Sequence, residues 1–81
     1  MIRVRFFANL REKLDCELIN LEYSGEHSAE EVKQKLLARG DQWQALGEND
    51  LLVAVNQTIC ALDAELNDGD ELAFFPPVTG G

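Results

Sequence analysis

The sequence predicts an α+β fold, a mixed sheet of about five strands packed on one main helix. Three observations carry this. The N-terminus alternates strictly, with Ile2, Val4, Phe6 and Ala8 set against Arg3, Arg5 and Phe7, which is strand periodicity. One segment only, over 28–39, combines a helix-starting signal with a sustained apolar stripe. The C-terminal half is a series of short apolar runs punctuated by turn residues.

Taken in order, residues 2–8 read as the first strand. Residues 9–14 suit a short helix with Asn9 as its cap. A second strand over 17–23 places Ile19, Leu21 and Tyr23 on one face, and 24–27 form a turn. Ser28 with Glu31 fits a capping box, in which each side chain satisfies the other's backbone amide. Ala29, Val32, Leu36 and Leu37 then share a helical face. Glu30 and Glu31 sit at the positive end of the helix dipole, Lys33, Lys35 and Arg39 toward its negative end, and Gly40 ends it. Residues 41–46 suit one more turn, with Trp43 and Leu46 over the core edge. The continuous apolar run 51–55 predicts a central strand covered on both faces. Residues 59–62 read as a return strand, 66–70 as a tight turn with Gly69 at positive φ, and 71–75 as the last strand. One helix joining an N-terminal hairpin to later strands is most compactly arranged with the last strand beside the first. That arrangement is the β-grasp, or ubiquitin-like, roll, expected over residues 1–75, with residues 76–81 as an extended tail.

At 81 residues, 46% hydrophobic and 27% charged, the chain has the composition of one small globular domain. Such a domain has little room for an internal active site. The net charge of -8 opposes nucleic-acid binding through a phosphate-neutralising surface. The charge is uneven: residues 1–13 carry +3 and residues 14–81 carry -11. Two readings stay open, a basic protein partner or acid that keeps the domain soluble. No run approaches the roughly 20 apolar residues of a membrane span, and the charged, alternating N-terminus is a strand and not a signal peptide. A cytoplasmic protein is expected. Cys16 and Cys60 have neither zinc spacing nor the number a disulfide framework needs, and are read as idle thiols.

Catalytic side chains are scarce. The single histidine, His27, falls in a turn, and no nucleophile constellation or phosphate-binding glycine loop is present. The acidic run 67–71 lacks the spacing of a calcium loop. No metal and no resident cofactor are expected, and the chain is not read as an enzyme on its own.

The tail is different. The sequence closes Phe74-Phe75-Pro76-Pro77-Val78-Thr79-Gly80-Gly81. Paired prolines stop the last strand and enforce an extended approach. Six extended residues reach roughly 20 Å, which holds the terminal carboxylate away from the domain. Gly80 and Gly81 have no β-carbon and can thread a narrow channel, led by Pro76, Pro77, Val78 and Thr79. A carboxylate becomes an acyl donor once ATP adenylates it. A sulfur nucleophile then displaces AMP to leave a thiocarboxylate, whereas an amine would give an isopeptide. The plainer alternative is a frayed glycine tail. Phe7 and Phe75 lie on faces their strands otherwise give to solvent, and β-grasp pairing makes those strands neighbours. With Ile59, and Arg11 at the rim, they would form an apolar docking patch beneath the tail. The alternative is a loop that covers both rings.

These residues carry a resemblance. The chain resembles the small, sulfur-carrying subunits of molybdopterin synthase. The likeness is densest over 1–8 with Arg11-Glu12, over 52–58 and over 68–81, while 15–48 matches only in pattern. The resemblance implies that an ATP-dependent activating enzyme adenylates Gly81, that the tail becomes a thiocarboxylate, and that it donates sulfur to cyclic pyranopterin monophosphate to build the molybdopterin dithiolene. It implies a heterotetramer with a large synthase subunit, partner contacts through Phe7, Arg11, Ile59 and Phe75, and a channel that receives Gly80 and Gly81. ATP would be used by the activating enzyme and not held by this chain. Two alternatives are a sulfur carrier for another pathway, such as thiamine synthesis, and a ubiquitin-like modifier conjugated to lysines.

Overall fold

Alternation at the N-terminus builds strand β1, Ile2–Phe6, with Ile2, Val4 and Phe6 buried and Arg3 and Arg5 exposed. The computed structural model describes residues 1–25, 28–47 and 51–76. After β1 come helix α1 (Ala8–Leu14), strand β2 (Leu18–Leu21), helix α2 (Ala29–Leu37), a 3-10 segment (Asp41–Gly47), and strands β3 (Leu52–Val55), β4 (Thr58–Cys60) and β5 (Glu71–Phe75). The strands form one mixed sheet in the order β2-β1-β5-β3-β4. β1 runs antiparallel to β2 and parallel to β5, with Val4 opposite Leu72 and Phe6 opposite Phe74. The predicted α+β, β-grasp architecture, with its last strand beside its first, is therefore the observed one.

One face of the sheet closes the core. Val4, Phe6, Val53, Leu72 and Phe74 meet Leu10 and Leu14 of α1, Val32 and Leu36 of α2, and Leu46 of the 3-10 segment, all buried. Phe6 lies between Trp43 (ring centroids 5.7 Å) and Phe74 (6.2 Å). Arg39 lies 5.5 Å over the Trp43 ring, so its cation covers the outer side of this aromatic stack.

Several boundaries differ from expectation. β1 ends at Phe6 and not at residue 8, because the chain turns into α1: Phe7 is the N-cap and Ala8 takes a left-handed φ of 54°. Asn9 is therefore inside α1 and does not cap it. The helix N-terminus has no side-chain cap. At α2 the Ser28 half of the expected capping box is in place, with the Glu31 N–H donating to Ser28 Oγ at 3.4 Å. The helix ends at Leu37, with Ala38 as C-cap, and Gly40 supplies positive φ (144°) two residues later. β2 and β4 are shorter than the expected 17–23 and 59–62. The central strand is β5 and not β3, because β3 lies one place from the edge, between β5 and β4. Gly69 takes the expected positive φ of 97°. His27 lies outside the described residues.

Candidate functional site

The second face of the sheet carries no helix, and its composition is set by register. On β1 and its extension it presents Arg3, Arg5 and Phe7; on β5, Glu71, Ala73 and Phe75. On β3 it presents Leu52 and Ala54, and on β4, Ile59. Phe75 pairs with Leu52, Ala73 with Ala54, and Ala54 with Ile59. The apolar members are thus contiguous across three strands.

Phe7 and Phe75 meet edge to face, with ring centroids 6.3 Å apart and planes at 84°, the arrangement that aromatic quadrupoles favour. The Phe7 N–H donates to the Phe74 carbonyl at 3.2 Å, which ties the ring's backbone to the end of β5. Phe7 keeps 44% of its surface and Ile59 65%, while Phe75 and Leu52 are half-buried. Among the described residues no loop covers the two rings. Three of the four expected patch residues, Phe7, Phe75 and Ile59, therefore share this face.

Arg11 lies in α1 one turn beyond Phe7. Its N–H donates to the Phe7 carbonyl at 3.4 Å, and its guanidinium lies 3.9 Å from a Glu17 carboxylate oxygen. It borders the patch and does not join it. Sequence reasoning missed Leu52, Ala54 and Ala73. The signal was available in the 51–55 run: with helices on one side of the sheet only, alternate members of that run must point to the open side.

Beyond the aromatic pair Arg5 stands opposite the exposed Leu18 and Arg3 opposite Asn20, so this face turns polar toward its far end. Glu71, one-quarter exposed, lies 4.0 Å from Arg3 and 3.8 Å from Arg5. At the far end Met1, Arg3, Asn20, Gly69 and Glu71 line a shallow depression of about 340 Å³. There the N-terminal ammonium pairs with Asp68. Asp70 holds the adjoining turn, accepting from the Asn67 N–H at 2.8 Å and from the Asn56 amide at 3.1 Å.

Pro76 is half-buried at the end of β5. The expected tail residues Pro77, Val78, Thr79, Gly80 and Gly81 lie outside the described residues. Both cysteines are free and half-buried, with the Cys60 thiol 3.9 Å from the Val53 carbonyl. Among the described residues no group of three or more His, Cys, Asp or Glu side chains could hold a metal, and no helix is long and apolar enough to cross a membrane.

Comparison with known proteins places this geometry. The model of the ThiS family matches residues 4–81. The chain belongs to the ThiS family. A relative from Haemophilus influenzae, the molybdopterin synthase sulfur carrier subunit, is 48% identical over 82 aligned residues that cover all of both chains. SAMP1 from Haloferax volcanii superposes with a TM-score of 0.79 at 26% identity, covering 99% of this chain and 98% of that one. A chain from the complex of subunits 1 and 2 of the molybdopterin-converting factor of Helicobacter pylori gives a TM-score of 0.68 at 25% identity, covering 99% and 97%. The family match runs to residue 81 and so spans Pro77–Gly81 as well as Arg5, Phe7, Ile59 and Phe75 of the open face.

Proposed function

We propose that this ThiS-family chain is the sulfur carrier subunit of molybdopterin synthase and that its reactive group is its own terminus. The observation that carries the reading is the 48% identity to a sulfur carrier subunit over the full length of both chains, in a sequence that ends Gly80-Gly81. An activating enzyme joins the Gly81 carboxylate to the AMP moiety of ATP and releases pyrophosphate. A sulfur nucleophile attacks the acyl carbon and the acyl–AMP bond breaks, leaving a thiocarboxylate. The tail then enters the large synthase subunit, its sulfur bonds to cyclic pyranopterin monophosphate, and water cleaves the acyl–sulfur bond, which leaves the sulfur on the pterin and regenerates the carboxylate. Two such deliveries complete the dithiolene.

In this reading the domain contributes no catalytic side chain. It supplies a rigid base and a docking surface. Phe7, Phe75 and Ile59 seat the carrier on its partner, Arg11 borders the contact, and the paired prolines Pro76 and Pro77 lead into the segment Val78, Thr79, Gly80 and Gly81 that the partner receives. The likeness to subunit 1 in a two-subunit converting-factor complex supports a large-subunit partner. The chain holds no cofactor of its own, the ATP being bound by the activating enzyme, and works in the cytoplasm.

The test is an intact mass after incubation with ATP, an activating enzyme and a sulfur donor. A gain equal to replacing oxygen by sulfur, localised to the C-terminal peptide, is expected. A chain lacking Gly81, or extended past it, should stay folded and show no gain. Synthase activity undiminished in either variant would overturn the proposal. The likeness to SAMP1 favours a second reading, in which the same acyl adenylate is attacked by lysine amines. Isopeptide-linked adducts in place of the sulfur gain would select it.

A further inference from the structure

We propose that the open face recognises its partner by charge as well as by apolar contact, with Arg3 and Arg5 receiving carboxylates on the docking surface of the large subunit. This inference rests on the carrier reading above.

The chain carries a net charge of -8, yet on its open face the guanidiniums of Arg3 and Arg5 outnumber the carboxylate they pair with. Arg3 and Arg5 share the single carboxylate of Glu71, and Arg11 faces Glu17. On the open face two guanidiniums thus meet one carboxylate, while Asp68 is paired with the N-terminal ammonium and Asp70 is held in its turn. The pairing is also loose. All three N–O separations are 3.8–4.0 Å, well beyond the ~2.7–2.9 Å of a charge-assisted hydrogen bond. The three guanidiniums make no hydrogen bond among the described residues, so their donor forks are available. Beside Arg3, the Asn20 side chain lines the same depression with Glu71.

Placement gives these groups a use. Arg5 and Phe7 are successive members of one strand face, as are Glu71, Ala73 and Phe75 on the neighbouring strand. A surface seated on the aromatic pair and extended along β1 meets Arg5 and then Arg3. An apolar centre with a charged border is the usual anatomy of a specific interface, and free guanidinium forks at the border select carboxylates. Much of the chain's acid lies elsewhere. Glu30 and Glu31 are on α2, across the sheet, in a molecule 18 Å thick at its narrowest. At physiological salt, charges separated by more than about 8 Å are largely screened, so a docking partner meets the local arginines more strongly than the distant carboxylates.

The experiment measures binding of the full-length chain to the purified large subunit at about 50 mM and about 500 mM salt, a range over which the screening length falls severalfold. Arg3→Gln/Arg5→Gln is expected to weaken binding about fivefold or more at low salt and by less than about twofold at high salt, chiefly through the association rate. Arg3→Lys/Arg5→Lys, which retains both charges, should recover most of the loss. Phe75→Ala should weaken binding about equally at both salts. Wild-type affinity of the glutamine variant at both salts would overturn the inference while leaving the carrier reading intact. So would a loss that is the same at both salts and shared by the lysine variant, because that assigns the arginines to packing. Arg3→Gln alone changes an exposed side chain and keeps the test open if the double variant unfolds early. A wild-type chain that gains sulfur yet binds no large subunit overturns the inference, and self-association through this face would name a second copy as its occupant instead. A chain that never gains sulfur overturns the carrier reading, which is how the two failures are told apart.

Discussion

Phe75 holds two jobs that a single substitution separates. Its backbone belongs to the central strand, opposite Leu52, while its ring stands on the open face against Phe7. Phe75→Ala leaves the strand's hydrogen bonds in place and removes only a half-buried ring. The expected cost to binding of the large subunit is about 1–3 kcal/mol, the range for an interface anchor, with a smaller cost to stability. Calorimetric titration beside a thermal melt checks both, and binding at wild-type affinity removes the ring from the interface. A second residue matters to stability alone. Asn56 and Gln57 form the two-residue turn between β3 and β4, and both have positive φ, 50° and 70°. Two-residue hairpins of this type favour Asn-Gly. Gln57 carries a β-carbon in the left-handed region that glycine enters freely. Gln57→Gly is expected to stabilise the fold by about 1 kcal/mol, a rise of several degrees in melting temperature for a domain of this size. An unchanged or lower melting temperature would show that the turn is not strained.

Among the elements, α2 brings three buried residues to the helix side of the core, and its signals were plain in the sequence. Ser28 caps it, Ala29, Val32 and Leu36 are buried, and the apolar spacing alone located them. Leu36→Ala is expected to cost about 2–5 kcal/mol. That is a large share of the roughly 4–12 kcal/mol typical of 81 residues, so chemical denaturation should show a much lower midpoint. Elements closed by tertiary contacts were less legible. Asn9 has the chemistry of a cap, but the path from β1 into α1 is set by Phe7 pairing with Phe74, a long-range contact that local propensity cannot report. The apolar run 51–55, taken without the expectation of helix on one side only, likewise could not say whether its alternate members meet a second layer or solvent. The placement of α1, α2 and the 3-10 segment on one side of the sheet decides that: it leaves Leu52 half-buried on the open face, while Ala54, on the same face, stays buried. The Phe7–Phe75 pair was legible because it needed only strand alternation and the β1–β5 neighbourhood.

For the molecule as a whole, the question is whether the reactive terminus and the folded domain are energetically independent. The buried hydrophobic cluster runs from Ile2 to Phe74 and draws on every helix and on strands β1, β2, β3 and β5. The β5 ladder is complete by Phe75, paired to Leu52. Among the described residues, no member of this buried cluster lies beyond Phe74. The last five residues, two of them glycine, bring little apolar area to bury, and ordering each of their backbones would cost about 1–2 kcal/mol. A chain ending at Pro76 is therefore expected to melt within about 2 °C of the full-length protein, since a change of 1 kcal/mol moves a domain this small by about 4–8 °C. It should also bind the large subunit through the open face and yet accept no sulfur. Loss of stability on truncation would show the tail packed on the domain, and a truncated chain that still becomes heavier by sulfur would move the reactive group away from the terminus. Retained folding and docking with abolished chemistry is the outcome expected of a carrier whose domain steers and whose terminus reacts.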